Sequence, residues 1–123
     1  GPSCVSAARV PDQDGAYEDI TKEPDGLTYH TDEYFTDSCM LIPDGSGLPN
    51  SPATALSSYW TYPGCVAMTH YPYVLKLADG RRIKLTIDDY YSPDVQMQCD
   101  TAGTIPMSNT GSGNIQLRWA EIP

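Results

Sequence analysis

Histidine and methionine supply the side chains of this sequence that are best suited to binding a soft or borderline metal. His30 and His70 lie in or beside stretches with strand character, and Met68 precedes His70 by two residues. Because alternate side chains of a strand point to the same face, a strand through Met68 and His70 would present a thioether beside an imidazole. That pair suits haem iron or copper. The alternative for each residue is ordinary: an exposed histidine at a strand end, or a methionine that fills the core.

The cysteines are the second set of residues with chemical potential, and there are four of them: Cys4, Cys39, Cys65 and Cys99. Their spacing contains no CxxC pattern and fits no zinc motif. An even number of widely spaced cysteines in an acidic chain predicts two disulfides in an exported protein, and the alternative is four buried thiols. Spacing does not fix the connectivity, although a Cys39–Cys65 bridge would close the loop between them.

Motifs for catalysis are absent from the sequence. There is no GxSxG or HExxH pattern, and no spacing singles out a pair of carboxylates. Asp12-Gln13-Asp14-Gly15 resembles the start of a calcium loop, but the later ligand positions do not follow the EF-hand spacing, which favours a solvated acidic linker. The sequence therefore predicts a protein that is not an enzyme.

The net charge of −9 limits the class of partner. An acidic chain repels the phosphates of nucleic acid, so a nucleic-acid partner is not expected. No run of apolar residues has the length of a transmembrane helix. The acidic balance and the cysteine count together favour an extracellular setting.

Residues 71–91 form the segment that is expected to position the candidate residues. Apolar and polar residues alternate on both sides of an Asp-Gly pair, which predicts a β-hairpin. A three-residue loop ending at Gly80 sets Leu75 opposite Ile83, whereas a two-residue loop would set Leu75 opposite Lys84. The three-residue loop also pairs Tyr73 with Leu85, Lys76 with Arg82, and Leu77 with Arg81. One face of the hairpin is then apolar, and the other carries cations. Those cations have three alternative roles: they bind an anion, they face solvent, or they complement the acidic first half of the chain.

Further strands are predicted at residues 27–35, 58–62, 95–99 and 115–119 from their β-branched, aromatic or alternating residues, while residues 39–42 form a short apolar piece and residues 65–70 lead into the hairpin. No segment shows a helical period, so the predicted class is all-β, with antiparallel sheets around a central hairpin and long loops. Residues 1–26 are predicted to be an acidic, irregular N-terminal segment, and residues 27–123 a single all-β domain.

The hairpin and its flanks resemble a known family. The run YVLKLADGRRIKL at residues 73–85, Tyr90-Tyr91, the run WTY at residues 60–62 and the run GNIQLRWA at residues 113–120 resemble HmuY-type haem-binding proteins, in the versions found in myxobacteria. The resemblance implies an all-β domain of an exported lipoprotein or secreted haemophore that acts at the outer-membrane surface in iron acquisition. It implies haem held between two axial side chains, for which the candidates are His70, His30, Met68 and Met40, with Tyr71 beside them.

Family domains are usually longer, so the resemblance implies a C-terminal portion whose sheet is completed by an N-terminal fragment or by a second copy. The alternative is a naturally short relative. The leading functional hypothesis is a haemophore-like protein. A second hypothesis is a secreted or cell-surface module that binds proteins or glycans through Tyr59, Trp60, Tyr62 and Tyr71, without haem. A third is a copper- or calcium-binding β-domain.

Overall fold

Antiparallel strands dominate the computed structural model, which describes residues 5–32, 35–44, 49–56 and 58–123. One sheet has four strands in the order β1-β4-β5-β6, and a second sheet pairs β2 with β3. The strands are β1 (Ser6–Arg9), β2 (Trp60–Thr61), β3 (Ala67–Met68), β4 (Pro72–Lys76), β5 (Arg82–Asp89) and β6 (Gln116–Ile122). A single α-helix in the described ranges, α1 (Pro93–Ala102), joins β5 to β6, and two short 3-10 helices span Asp12–Asp14 and Tyr17–Asp19. The prediction of an all-β fold is confirmed.

The β4–β5 hairpin has the predicted register. Leu75 lies opposite Ile83 and Tyr73 opposite Leu85. The amide of Leu77 donates to the carbonyl of Arg81, which closes the three-residue loop. Gly80 has a φ of +90°, a left-handed conformation that costs glycine little because it has no Cβ. The apolar alternation and the turn glycine therefore agree on one register.

Helix α1 replaces a predicted strand, so the strand prediction for residues 95–99 was wrong. Val95 and Cys99 are buried while Met97 is 68% exposed, which is the pattern of an i, i+4 helical face rather than of a strand face. Pro93 lies in the first turn, where its missing N–H costs nothing, and Gly103 ends the helix with a φ of 72°. Pro93 at the start and Gly103 at the end therefore favour a helix, because the short apolar alternation between them fits a helix as well as a strand.

The N-terminal part of the chain is also more ordered than predicted. Residues 1–26 were expected to be irregular and solvated, yet strand β1 pairs along β4, with Ala7 opposite Leu75. Val10 and Ile20 are buried against Val74 and the C-terminal strand. The prediction of a solvated linker was wrong for these residues, because scattered apolar side chains bury without following a regular period.

Acidic and tyrosine side chains of residues 17–29 cover the cationic face of the sheet, and we call this stretch the covering segment. Glu23 binds Arg82, and the backbone carbonyl of Tyr17 accepts a hydrogen bond from Lys84 at 2.8 Å. Tyr17 and Tyr29 also lie under cationic groups of the sheet. Of the alternatives for this face, complementarity to the acidic first half is the one that the structure shows.

The remaining predicted strands are shorter than expected. Residues 27–35 and 39–42 contribute isolated bridges, in which His30 pairs with Ala7 and Phe35 with Leu41. Residues 58–62 and 65–70 supply the two-residue strands β2 and β3, and the closing strand is confirmed as β6. No helix in the described ranges is long and apolar enough to cross a bilayer. Cys4 lies outside the described residues.

Candidate ligand-binding groove

His70 lies at the end of β3, outside the regular strand. Its backbone has a φ of 59°, which interrupts the alternation that would place it on one face with Met68. Its ring Nε2 is 3.1 Å from Oδ2 of Asp100 in helix α1, and its side chain is 55% exposed. A carboxylate on one ring nitrogen fixes the orientation of the imidazole and leaves the other nitrogen open.

The other haem-ligand candidates lie in different surroundings. Met68 is buried in the core beside Leu85 and Ile87, whereas Met40 is 65% exposed. His30 is bridged to β1 and lines a cavity whose residues do not include His70. Of these four candidates, only His30 lines that cavity. In the described ranges, no group of three or more His, Cys, Asp or Glu side chains is arranged to hold a metal ion. The copper and calcium hypotheses therefore gain no support from a cluster of ligands in those ranges.

Helix α1 is fixed to the β3 region by a disulfide and a buried amide. Cys65 and Cys99 form the disulfide, and both are almost fully buried. The side chain of Gln96, 1% exposed, accepts hydrogen bonds from the amides of Tyr90 and Tyr91 through Oε1. Its Nε2 donates to the carbonyl of Val66 and to Asp100. Cys39 is a free and exposed thiol. One predicted disulfide is therefore present, and the helix that carries Asp100 is held firmly.

Three cavities that share lining residues lie over the face of β1 and β4, opposite the covering segment, and together we call them the groove. The central cavity has a volume of 270 Å³ and is lined by Tyr73 and His30, among others. A neighbouring cavity of 260 Å³ shares Ala55 with it. A third, of 150 Å³, shares Arg9 and Ser58 with it and adds Trp60 and Tyr71. Each cavity alone is smaller than the usual ligand cleft of about 300–1,000 Å³, but joined they reach that size.

Strand geometry explains why the groove is elongated. Ala7 pairs with Leu75 and Arg9 with Tyr73, and cross-strand partners point to the same face of a sheet. Tyr71, two residues before Tyr73, lines the next cavity in the same direction. From Leu75 to Tyr71 the chain advances by about 13 Å at ~3.3 Å per residue. The groove thus follows the strands, with the segment around Ala55 as its wall.

The lining of the groove combines aliphatic side chains with aromatic rings, hydroxyl groups and one guanidinium group. The Cζ of Arg9 lies 3.4 Å from the centre of the Tyr71 ring. Tyr73 lies on the floor with 0% exposure, and burial raises the pKa of its phenol well above the usual value, so it stays neutral. Hydroxyl-bearing side chains line the three cavities: Ser6, Thr31, Thr54, Ser58, Thr61 and Thr69. This set can stack against a ligand and hydrogen-bond to it.

Sequence reasoning identified part of this groove. Trp60 and Tyr71 were candidates for an interaction surface, and both line it, whereas Tyr59 packs on the core and Tyr62 is 47% exposed elsewhere. Arg9 was missed, because it lies in a segment predicted to be irregular. No local alternation marks β1, which pairs with a strand more than sixty residues away.

Comparison of the chain with models of known protein families, with curated proteins and with solved structures finds no match.

Proposed function

We propose that this protein is a non-enzymatic glycan-binding module of an exported or cell-surface protein, with the groove over β1 and β4 as its binding site. The observation that carries the proposal is the set of three neighbouring cavities, which share lining residues and include aromatic rings, hydroxyl groups and Arg9. A groove of this length suits an oligomeric ligand rather than a single small molecule.

The position of the groove favours a glycan over a peptide. Peptides that add a strand to a sheet bind the backbone of a free strand edge. The groove lies instead on the face of the sheet, and the outer edge of β1 is already engaged at Ala7, which exchanges two hydrogen bonds with His30. A ligand in the groove is therefore recognised by side chains. Hydroxyl groups of sugars match the hydroxyl groups of the lining, and sugar C–H groups pack on aromatic rings, whose faces carry negative charge.

The Cys65–Cys99 disulfide supports the proposed location outside the cell. The Cys65–Cys99 bridge is buried and intact, and such bridges persist in oxidising compartments. This supports an extracellular location or a place at the outer-membrane surface. Cell-surface glycans and secreted polysaccharides are the ligands available there.

Binding of fluorescently labelled protein to a glycan array, followed by calorimetric titration of the positive glycans, tests the proposal. Trp60→Ala and Tyr71→Ala should each weaken binding by at least about 5-fold, because aromatic residues at the centre of a contact carry much of the binding energy. Trp119→Ala is the matched control, since Trp119 is 64% exposed on β6 and lines none of the three cavities. Thermal unfolding of each variant separates loss of binding from loss of fold.

The proposal would be overturned if no glycan binds, or if both groove variants bind as tightly as the wild-type protein. Because Trp60 also packs against the core cluster of Met68 and Leu85, Tyr71→Ala is the deciding variant if Trp60→Ala is destabilised. Binding of peptides in place of glycans would assign the groove to a protein partner.

Haem binding through one imidazole is a second candidate function, and the orientation of His70 by Asp100 favours it. The resemblance to HmuY-type proteins supports the same function. A haemin titration should then give a sharp Soret band at one equivalent, which His70→Ala weakens and which replacement of the fully exposed Met107 leaves unchanged. A broad spectrum that is indifferent to His70 would exclude it.

A further inference from the structure

We infer that the ligand of the groove is an acidic oligosaccharide, whose carboxylate is bound by Arg9 where the guanidinium stacks on Tyr71. This inference rests on the proposed glycan-binding function and adds the chemical class of the sugar. Three features of the structure support it: the partners of the arginines, the stacking of Arg9 on Tyr71, and the distribution of charge along the groove.

Arg9 differs from the other arginines of the protein in its partners. Arg81, Arg82 and Arg118 each donate a hydrogen bond of 2.9 Å or less to a carboxylate of the chain. The ion-pair partner of Arg9 is Asp12, at 3.6 Å, which is beyond the usual hydrogen-bond distance. Asp12 is itself 83% exposed, so water competes for it. The donors of Arg9 are therefore available to a ligand.

Stacking on Tyr71 prepares the guanidinium for a planar acceptor. With its Cζ 3.4 Å from the ring centre, the guanidinium is held against the ring face. A stacked guanidinium keeps its N–H groups at the edge, where a carboxylate accepts two parallel hydrogen bonds. Holding the side chain in place before binding reduces the entropy that the contact costs. A lysine at this position would supply charge without the fork.

Charge along the groove gives the acidic group one place to bind. Arg9 lines the central cavity and the cavity that contains Trp60. The far cavity is lined by Asp32, whose Oδ1 accepts a hydrogen bond from the amide of Ala55. A carboxylate-bearing sugar is therefore attracted to the Tyr71 end and repelled from the Asp32 end. Neutral sugar units fit the remainder of the groove.

Calorimetric titration with uronate trisaccharides and their methyl esters tests the inference. The probes are trisaccharides of two neutral hexoses and one terminal galacturonate, glucuronate, mannuronate or guluronate, each paired with its methyl ester, which keeps the ring and removes the charge. At least one acid should bind about 10-fold or more tightly than its ester, as expected for a charge-assisted bidentate pair. Arg9→Gln should abolish the difference between acid and ester, and Arg9→Lys should restore only part of it. Arg81→Gln, which removes an arginine paired with Asp79, is the matched control and should retain the difference.

The outcomes separate this inference from the function on which it rests. If an ester or another neutral glycan binds as tightly as the acid and Arg9→Gln has no effect, the acidic-sugar inference is overturned while the glycan-binding module stands. If no member of any pair binds, the inference is overturned, and the glycan array alone decides the proposed function. Unfolding temperatures of the arginine variants confirm that a loss of binding is local.

Discussion

Glu23 and Arg82 are 59 residues apart in sequence, yet Oε2 of Glu23 accepts a hydrogen bond of 2.8 Å from Nε of Arg82. The same oxygen accepts the hydroxyl of Tyr29. Hydrogen bonding to Tyr29 and, second, to Arg82 holds the pKa of Glu23 below its ordinary value of 4.5. Burial, together with this carboxylate, raises the pKa of Tyr29 to about 12. One carboxylate thus fastens the covering segment to the sheet.

This contact predicts a loss of stability in acid. A carboxyl group whose pKa is lowered on folding stabilises the fold above its unfolded pKa, and this contribution disappears as the pH falls through the folded pKa. For Glu23 the loss begins near pH 4.5 and continues below it. Glu23→Gln should therefore lower the urea midpoint at pH 7 and show a smaller decline between pH 5 and pH 3 than the wild-type protein does.

Asp25→Asn controls for the change in net charge, because it removes an exposed carboxylate two residues from Glu23. An unchanged midpoint at pH 7 for Glu23→Gln would contradict the role assigned to this contact.

Asp89 should behave in the opposite way. Burial, with the charges of Asp88 and Asp100 beside it, raises the pKa of Asp89 above its ordinary value of 3.8. A carboxyl group whose pKa is raised on folding opposes the fold increasingly as the pH rises from its unfolded pKa through its folded pKa. Asp89→Asn should thus raise the urea midpoint at pH 7 and have little effect at pH 3. Asp88→Asn is the contrasting variant: it removes one of the two carboxylate partners of Arg118, the other being Glu18, and should lower the midpoint at pH 7.

Replacing Gln96 should be costly for stability. Gln96→Ala leaves the amides of Tyr90 and Tyr91 and the carbonyl of Val66 without the side-chain partner that they share. A buried polar group left unpaired costs about 1–3 kcal/mol, so we expect a loss of at least about 2 kcal/mol in the free energy of unfolding, measured by urea denaturation. Gln98→Ala, the same substitution on the exposed side of α1, should cost less than about 0.5 kcal/mol. Equal effects of the two substitutions would show that the network contributes nothing.

The disulfides predict a mass and a reduction rate. The Cys65–Cys99 bridge removes two hydrogen atoms, so the non-reduced protein should be about 2 Da lighter than the reduced chain, and a second bridge, as the sequence predicts, would bring the difference to about 4 Da. The Cys65–Cys99 bridge spans 34 residues and should contribute about 3–4 kcal/mol. Because both of its cysteines are buried, reductant should open it slowly under native conditions and quickly in urea. A mass deficit of only about 2 Da would show that Cys39 stays a free thiol.

The hairpin was predictable because its information is local. Alternation on both sides of a turn, with a glycine that accepts positive φ, leaves one register in which apolar residues face each other. Helix α1 was not predicted, because Val95 and Cys99 fit a strand as well as a helix in so short a stretch. Pro93 marks the start of the helix and Gly103 its end, but the alternation of apolar residues between them is equally typical of a strand.

The groove was only partly predictable because its floor is assembled from distant segments. Trp60 and Tyr71 are visible as aromatic residues in strand-like sequence. Arg9 acquires its role only when β1 lies against β4, and no local pattern in the acidic N-terminal sequence indicates that pairing. The orientation of His70 by Asp100 likewise depends on the position of a helix that was predicted as a strand.

The pairing of β1 with β4 also sets the order in which this molecule can fold. The β4–β5 hairpin closes a short loop, and hairpins of this kind form in about 1–10 μs. Strand β1 can join only by closing a chain loop many times longer, and such non-local contacts slow the folding of β-proteins. The floor of the groove therefore forms in a late step, after the hairpin exists. Partly folded chains would retain the hairpin but lack the proposed binding site, so a ligand of that site would bind and stabilise the completed fold alone, by mass action.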